Sequence, residues 1–284
     1  MAREIFVLYL VYNAVKLEKD SFCMKSIAAR MFPEAKINFI IVDNALDSGY
    51  VDKKSATCFL IGGDNRCSEF SGWDHGVSFI KQQFNLSDST VVMFANDTIM
   101  TRSYTSGPSY LDVFDAPILA GRDVTQSAIG YVDDFPRLVK LNGIKYNSWI
   151  RSNIFCLPLS IVNVVSPLTV SFSMEQVFSS DINQFWSSSE LISDNWKAYI
   201  SSWLFGIESS AFPEYKLHWL KAGQLNEDNW EFFKKKALCI LSEHYLSARL
   251  YKLEIPIINT NIFEKKNDRH IFPYYQQSNS KKTG

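Results

Sequence analysis

Ser89-Thr90-Val91-Val92-Met93-Phe94-Ala95-Asn96-Asp97-Thr98 is the stretch on which the fold turns. It opens as an apolar, β-branched run of strand type. It stops abruptly on Asn96 and Asp97, which have no place in a hydrophobic strand. A buried strand ending in a carboxylate is what an α/β fold offers when a ligand is held at the carboxyl edge of its sheet. The same pair also suits a plain turn, which Asn and Asp favour. The neighbouring segments bear on that choice.

Upstream, Ile5 to Tyr12 is a continuous apolar run that ends in Asn13, as in a central strand covered on both faces. Phe22, Ile27 and Met31 fall at helical spacings, and Pro33 closes that segment. Ile37 to Val42 reads as a second strand, ending in Asp43-Asn44. Thr57 to Ile61 reads as a third, followed by Gly62-Gly63-Asp64-Asn65. A stripe of Phe70, Trp73, Val77, Ile80 and Phe84 predicts a helix beginning near Ser68. Each strand therefore ends in Asn or Asp. The alternation predicts an α/β domain with a mostly parallel sheet flanked by helices. The carboxyl ends of such strands share one edge, so Asp43, Asp64 and Asp97 would face one crevice. Clustered carboxylates repel unless a cation or hydrogen-bond donors satisfy them. A divalent ion bridging one of them to a substrate phosphate meets that need. Neither Gly-x-Gly-x-x-Gly nor Gly-Lys-Ser/Thr occurs, which argues against a dinucleotide site or a P-loop.

A chain of 284 residues can bury one large core, or a core and a smaller lobe. A net charge of −1 exerts no global pull on nucleic acid. Cys23, Cys58, Cys67, Cys156 and Cys239 are scattered, with no Cys-x-x-Cys, which argues for reduced thiols in a cytosolic protein. The run Ile5 to Tyr12 is followed at once by Asn13, Lys16, Glu18 and Lys19, and so reads as a strand rather than a signal peptide. No apolar stretch reaches the ~20 residues of a membrane span.

Three blocks resemble the family 2-like glycosyltransferases of GT-A fold, especially bacterial rhamnosyl- and O-antigen-type transferases. They are Phe39 to Gly49, with Val42-Asp43-Asn44 at its centre; Asp64-Asn65-Arg66 through Gly72-Trp73-Asp74-His75-Gly76-Val77; and Val91 to Thr98. The resemblance covers roughly the first hundred residues. It implies a GT-A-like, Rossmann-type sheet and transfer of a sugar from a nucleotide-sugar donor to a glycan or lipid-linked acceptor hydroxyl. It implies inversion, and a place in surface polysaccharide synthesis at the cytoplasmic side. Tyr12 and Asn13 would line the base pocket, with Asp43 and Asn44 on base or ribose and Asp64 and Asn65 on the nucleoside. Asn96 and Asp97 stand where the family carries its DxD motif. Asp97 would bind Mn²⁺ or Mg²⁺ bridging the donor diphosphate. Only one carboxylate remains in Ala95-Asn96-Asp97, so metal affinity is expected to be weak.

An inverting transferase needs a base for the acceptor proton. The resemblance places it about a hundred residues after the DxD at a helix start, where Asp194 stands, with Glu190 and Glu208 as fallbacks. Asp194 or Ser193 equally suits a helix N-cap. Ile150 to Pro158 resembles the family's strand near the acceptor. Arg151 there either faces phosphate or lies on the surface. Asp133-Asp134 reads as a solvated turn, and His218 and His244 as packed side chains. Trp186, Trp196 and Trp203 read as core, with one able to stack on a sugar. Asn226 predicts the start of a long helix. Its Lys234-Lys235-Lys236 is either a solvated face or a peripheral contact with anionic lipid. Residues 1–222 are expected to form the transferase domain and 223–284 a helical lobe with a disordered tail. The rival reading is a non-catalytic relative that binds glycan or scaffolds a synthase complex. A nucleotidyltransferase would need a Gly-rich basic loop after the first strand, and Asn13-Ala14-Val15-Lys16 is not one.

Overall fold

The computed structural model describes residues 4–12, 17–99, 125–217, 219 and 221–260. In chain order the elements are β1 (Glu4–Val11), α1 (Leu17–Met31), β2 (Lys36–Asp43), β3 (Val51–Ser55), β4 (Cys58–Gly62), α2 (Ser68–Gln83) and β5 (Val91–Asn96). Then come β6 (Ala128–Leu141), β7 (Ile144–Pro158), α3 (Leu159–Val165), α4 (Met174–Val177), α5 (Asp194–Phe205), α6 (Trp230–Lys252) and β8 (Ile257–Asn259). The strands form one mixed sheet in the order β3-β4-β2-β1-β5-β7-β6-β8.

The expected α/β sheet flanked by helices is present. Its centre, β4-β2-β1-β5, is parallel. Residues Ile5 to Leu10 of β1 are wholly buried because both faces are covered. Phe6, Leu8 and Leu10 pack with Phe70, Trp73, Val77 and Ile80 of α2. Ile5, Val7, Tyr9 and Val11 pack with Met24, Ile27 and Met31 of α1. This is the two-residue period of a strand read from opposite sides. From β1 the chain winds outward through β2 and β4, then returns to the other side of β1 as β5. That reversal opens a crevice beyond the carboxyl ends of β1 and β5.

Beyond β5 the order changes character. β7 runs antiparallel to both β5 and β6. β6 and β7 form a long hairpin whose turn, Asn142-Gly143, has both φ values positive, +48° and +77°, as a tight hairpin turn requires. The expected turn at Asp133-Asp134 is instead strand. Both residues lie within β6, opposite Trp149 and Ser148. β3 was not expected at all: its sequence, Val-Asp-Lys-Lys-Ser, is a mostly exposed edge with no apolar face.

A third core fills the outer end of that hairpin, with Phe135, Tyr146 and Trp149 against Trp196 and Ile200 of α5. The long helix α6 belongs to two cores. Cys239, Leu246 and Leu250 pack with α2 and the sheet, while Phe233, Ala237 and Leu241 join the third cluster. Packing thus runs continuously across 222/223. Residues 261–284 and Asp115 to Gly121 lie outside the described residues. No described helix is long and apolar enough to cross a membrane. The described cysteines Cys58, Cys67, Cys156 and Cys239 are free thiols.

Candidate functional site

The carboxyl ends of β1, β2 and β5 are laced together by main-chain contacts. The Asn44 N–H donates to the Val11 carbonyl at 3.0 Å, and the Asp97 N–H to the Leu10 carbonyl at 3.0 Å. The Tyr12 N–H in turn donates to Asp97 Oδ2 at 3.2 Å. Beside this seam lies a cleft of about 720 Å³. Its walls come from the β1 and β5 ends, the start of α2, β6 and β7, α5, and one face of α6.

Of the residues expected at the nucleotide site, Tyr12, Asn65 and Asn96 line the cleft. The Tyr12 hydroxyl donates to Glu69 Oε2 at 3.3 Å. Asn96 is buried, and its Oδ1 accepts from the Thr98 backbone N–H at 3.2 Å and hydroxyl at 2.5 Å. Asp43 and Asn44 are buried and Asp64 and Asp97 partly exposed, and none of the four lines the cleft. Asp43 is 4% exposed, and its Oδ1 accepts from the Ala45 N–H at 2.9 Å, closing a turn. Asn44 donates to the Ser68 carbonyl at 3.1 Å, fixing the start of α2. Asp64 accepts from the Arg66 backbone N–H at 2.9 Å and its Nε at 2.6 Å, and caps a short 3-10 turn. Asn13 lies outside the described residues. Asp74, in the second resembling block, holds the chain at Leu168 and Thr169 through their N–H groups at 2.6 and 3.0 Å.

Asp194 is not brought to this cleft. Its side chain is 92% exposed, 3.7 Å from Lys197, at the first turn of α5. It lines a second hollow of about 790 Å³ with Phe185, Trp186 and Gln224. That hollow is slightly the larger, but it lies off the sheet edge and carries no other carboxylate. Glu190 and Glu208 are exposed and line neither cavity.

The carboxylates that line the cleft are Glu69 and Glu243, which the sequence did not single out, and Asp133, which it read only as part of a turn. Asp133 accepts from Arg151 through both oxygens, at 2.5 and 2.9 Å. Arg151 also lies over the Tyr131 ring, 4.2 Å from its centroid. Glu243 accepts from the Ser152 backbone N–H at 2.5 Å, while the Ser152 hydroxyl donates to Glu69 Oε1 at 3.3 Å. Burial raises the Glu243 carboxyl to about 7, against the Ser152 hydrogen bond and with help from the Glu69 charge. Glu243 lies one helical turn after Cys239 on α6, and both line the cleft. His244 beside it is buried and accepts from Trp196 Nε1 at 2.9 Å. Desolvation holds its imidazole down at about 3, so it is a neutral packed residue, as expected. His218 lies outside the described residues. Trp186 and Trp196 are core, whereas Trp203 faces the cleft. Lys235 and Lys236 also line the cleft rather than forming a solvated face.

The resemblance implies a divalent cation at Asp97. Among the described residues, no three His, Cys, Asp or Glu side chains gather as metal ligands. Asp97 offers one carboxylate, with one oxygen engaged by the Tyr12 N–H. That donor set fits a small cation held by a single carboxylate and completed by substrate phosphates and water.

No protein-family model matches this chain, and no curated protein matches it either.

Proposed function

We propose that the chain is a GT-A-like glycosyltransferase that moves a sugar from a nucleotide-sugar donor to a glycan or lipid-linked hydroxyl, with inversion. The observation that carries the reading is the cleft at the reversal between β1 and β5, which the strand-end residues Tyr12 and Asn96 line together with Glu243. The donor nucleotide packs against Tyr12, Asn65 and Asn96. Glu243 takes the acceptor proton as the acceptor oxygen bonds to the anomeric carbon. The bond from that carbon to the phosphate oxygen breaks, and its electron pair leaves with the diphosphate. A base with a pKa near 7 suits this step at neutral pH. Asp97 would hold a divalent cation, which would supply positive charge to offset that of the diphosphate. Ser152 holds Glu243 in place through its N–H.

Thermal unfolding against UDP, GDP, dTDP and CMP, with and without Mn²⁺, tests the donor site. A nucleotide at ~100 times its dissociation constant adds about 2.7 kcal/mol. The expected result is a selective shift, enhanced by Mn²⁺ and weakened by Asp97→Ala. No shift with any nucleotide overturns the reading. The single carboxylate at the DxD position favours one rival, a glycan-binding relative without turnover. Glycan binding with no nucleotide response and no sugar transfer would favour it.

A further inference from the structure

The cleft continues away from the sheet along α6, and its two ends differ in charge. At the sheet end, Glu69 and Glu243 gather around Ser152, and Asp133 is committed to Arg151. Farther along stand Lys221 and Lys235, with Lys236 between them and the acidic end, close enough for its charge to act on Glu243. Neither Lys221 nor Lys235 forms an ion pair among the described residues.

Between and beyond these lysines the wall is aromatic. Trp203 and Trp219 stack with centroids 4.9 Å apart and planes at 14°. Trp219 and Phe232 continue the stack at 6.0 Å and 8°. The Lys236 ammonium lies 5.8 and 5.7 Å from the two indole centroids, so it is held at the stack. Phe232 ends the ladder and remains 49% exposed. A large aromatic left open beside Lys221 and Lys235, inside a cleft, is a poor way to finish a core. It is a good way to receive a ring with an apolar face and an anionic substituent. From Phe232 to Glu243 the helix rises about 16 Å, at ~1.5 Å per residue. That is the length of a short oligosaccharide, not of one sugar.

We infer that the acceptor is an acidic oligosaccharide, lying along α6 with its reacting hydroxyl at Glu243, its anionic group at Lys235 and Lys236, and a sugar face on Phe232. This rests on the transferase reading for the role of Glu243. The anionic group is a carboxylate or a phosphate, since lysine ammonium groups accept either.

The test is a calorimetric titration of the full chain, with and without the nucleotides above. The probes are trisaccharides that are neutral, uronate-bearing, sialate-bearing or phosphate-bearing, and tryptophan fluorescence is followed in parallel. The acidic probes are expected to bind at least tenfold more tightly than the neutral one, with an affinity that falls as salt rises. The tighter acidic probe names the substituent. Lys235→Gln with Lys236→Gln removes the preference, and Phe232→Ala weakens all probes alike. Both variants keep the nucleotide-induced thermal shift, which shows that they fold. Equal affinity for acidic and neutral probes, or no binding by any, overturns the inference. If nucleotides still bind, the transferase reading survives that failure. Acidic binding with no nucleotide response keeps the subsite and removes the transferase reading.

Discussion

Glu243 and His244 are neighbours on one helix, and their buried ionisations pull stability in opposite directions. The Glu243 carboxyl is raised from 4.5 to about 7 by burial, so the folded state holds its proton where the unfolded chain has released it. Its contribution is complete below the unfolded value and is lost as pH rises through about 7. The His244 imidazole is depressed from 6.5 to about 3, so its contribution is present above 6.5 and is lost as pH falls. Glu243→Gln keeps an acceptor for the Ser152 N–H and removes only the first slope. Chemical denaturation at about pH 5 and pH 8 should therefore show the variant gaining on the wild type at the higher pH. Sugar transfer should rise with pH through about 7 in the wild type and fall ~100-fold or more in Glu243→Gln. Unchanged transfer in that variant would remove Glu243 from the chemistry.

At the scale of elements, the edge that positions the site depends on close main-chain approach. Gly62 ends β4, and a Cβ there would lie 1.6 Å from the Asp47 carbonyl oxygen, which is backbone and cannot swing aside. Gly62→Ala should cost about 1–3 kcal/mol in urea unfolding and loosen the turn carrying Asp43. A neutral result would mean that the Asp47 turn moves freely. The parallel centre was legible in the sequence because β1, β2, β4 and β5 are apolar runs that end in polar residues. β3 was not, since an exposed edge strand has no buried face to leave a pattern. The strand course of β6 was hidden by Asp133, whose charge is matched by Arg151 across the hairpin, a partner that only pairing reveals. The site was half legible for the same reason. Strand ends announce themselves, whereas Glu69 and Glu243 are helical residues joined through Ser152, far away in sequence. Asp194 was expected as the base from its distance after the DxD position in the resemblance; its side chain is 92% exposed, in the first turn of α5 beside a different hollow.

For the whole molecule, continuity of packing predicts one cooperative unit. α6 closes the core over α2 and the core at the end of the hairpin at once. A chain cut after residue 222 would bare Trp73 and Phe155 on one side and Trp149 and Trp196 on the other. It should lose cooperative unfolding and bind a hydrophobic dye, while the full chain melts in a single transition by fluorescence and circular dichroism alike. A folded, cooperative 1–222 fragment would show instead that the last helix is an appendage.

That shared helix also fixes a distance. An α-helix clamped in two cores neither stretches nor hinges between them, so Glu243 and the lysines of α6 are marks on a rigid ruler. On the proposed transferase reading, an acceptor would be measured as well as recognised. A glycan whose charge sits one sugar too near its reacting hydroxyl would meet the right groups at the wrong spacing. A growing polymer would be extended only once it is long enough to reach both marks.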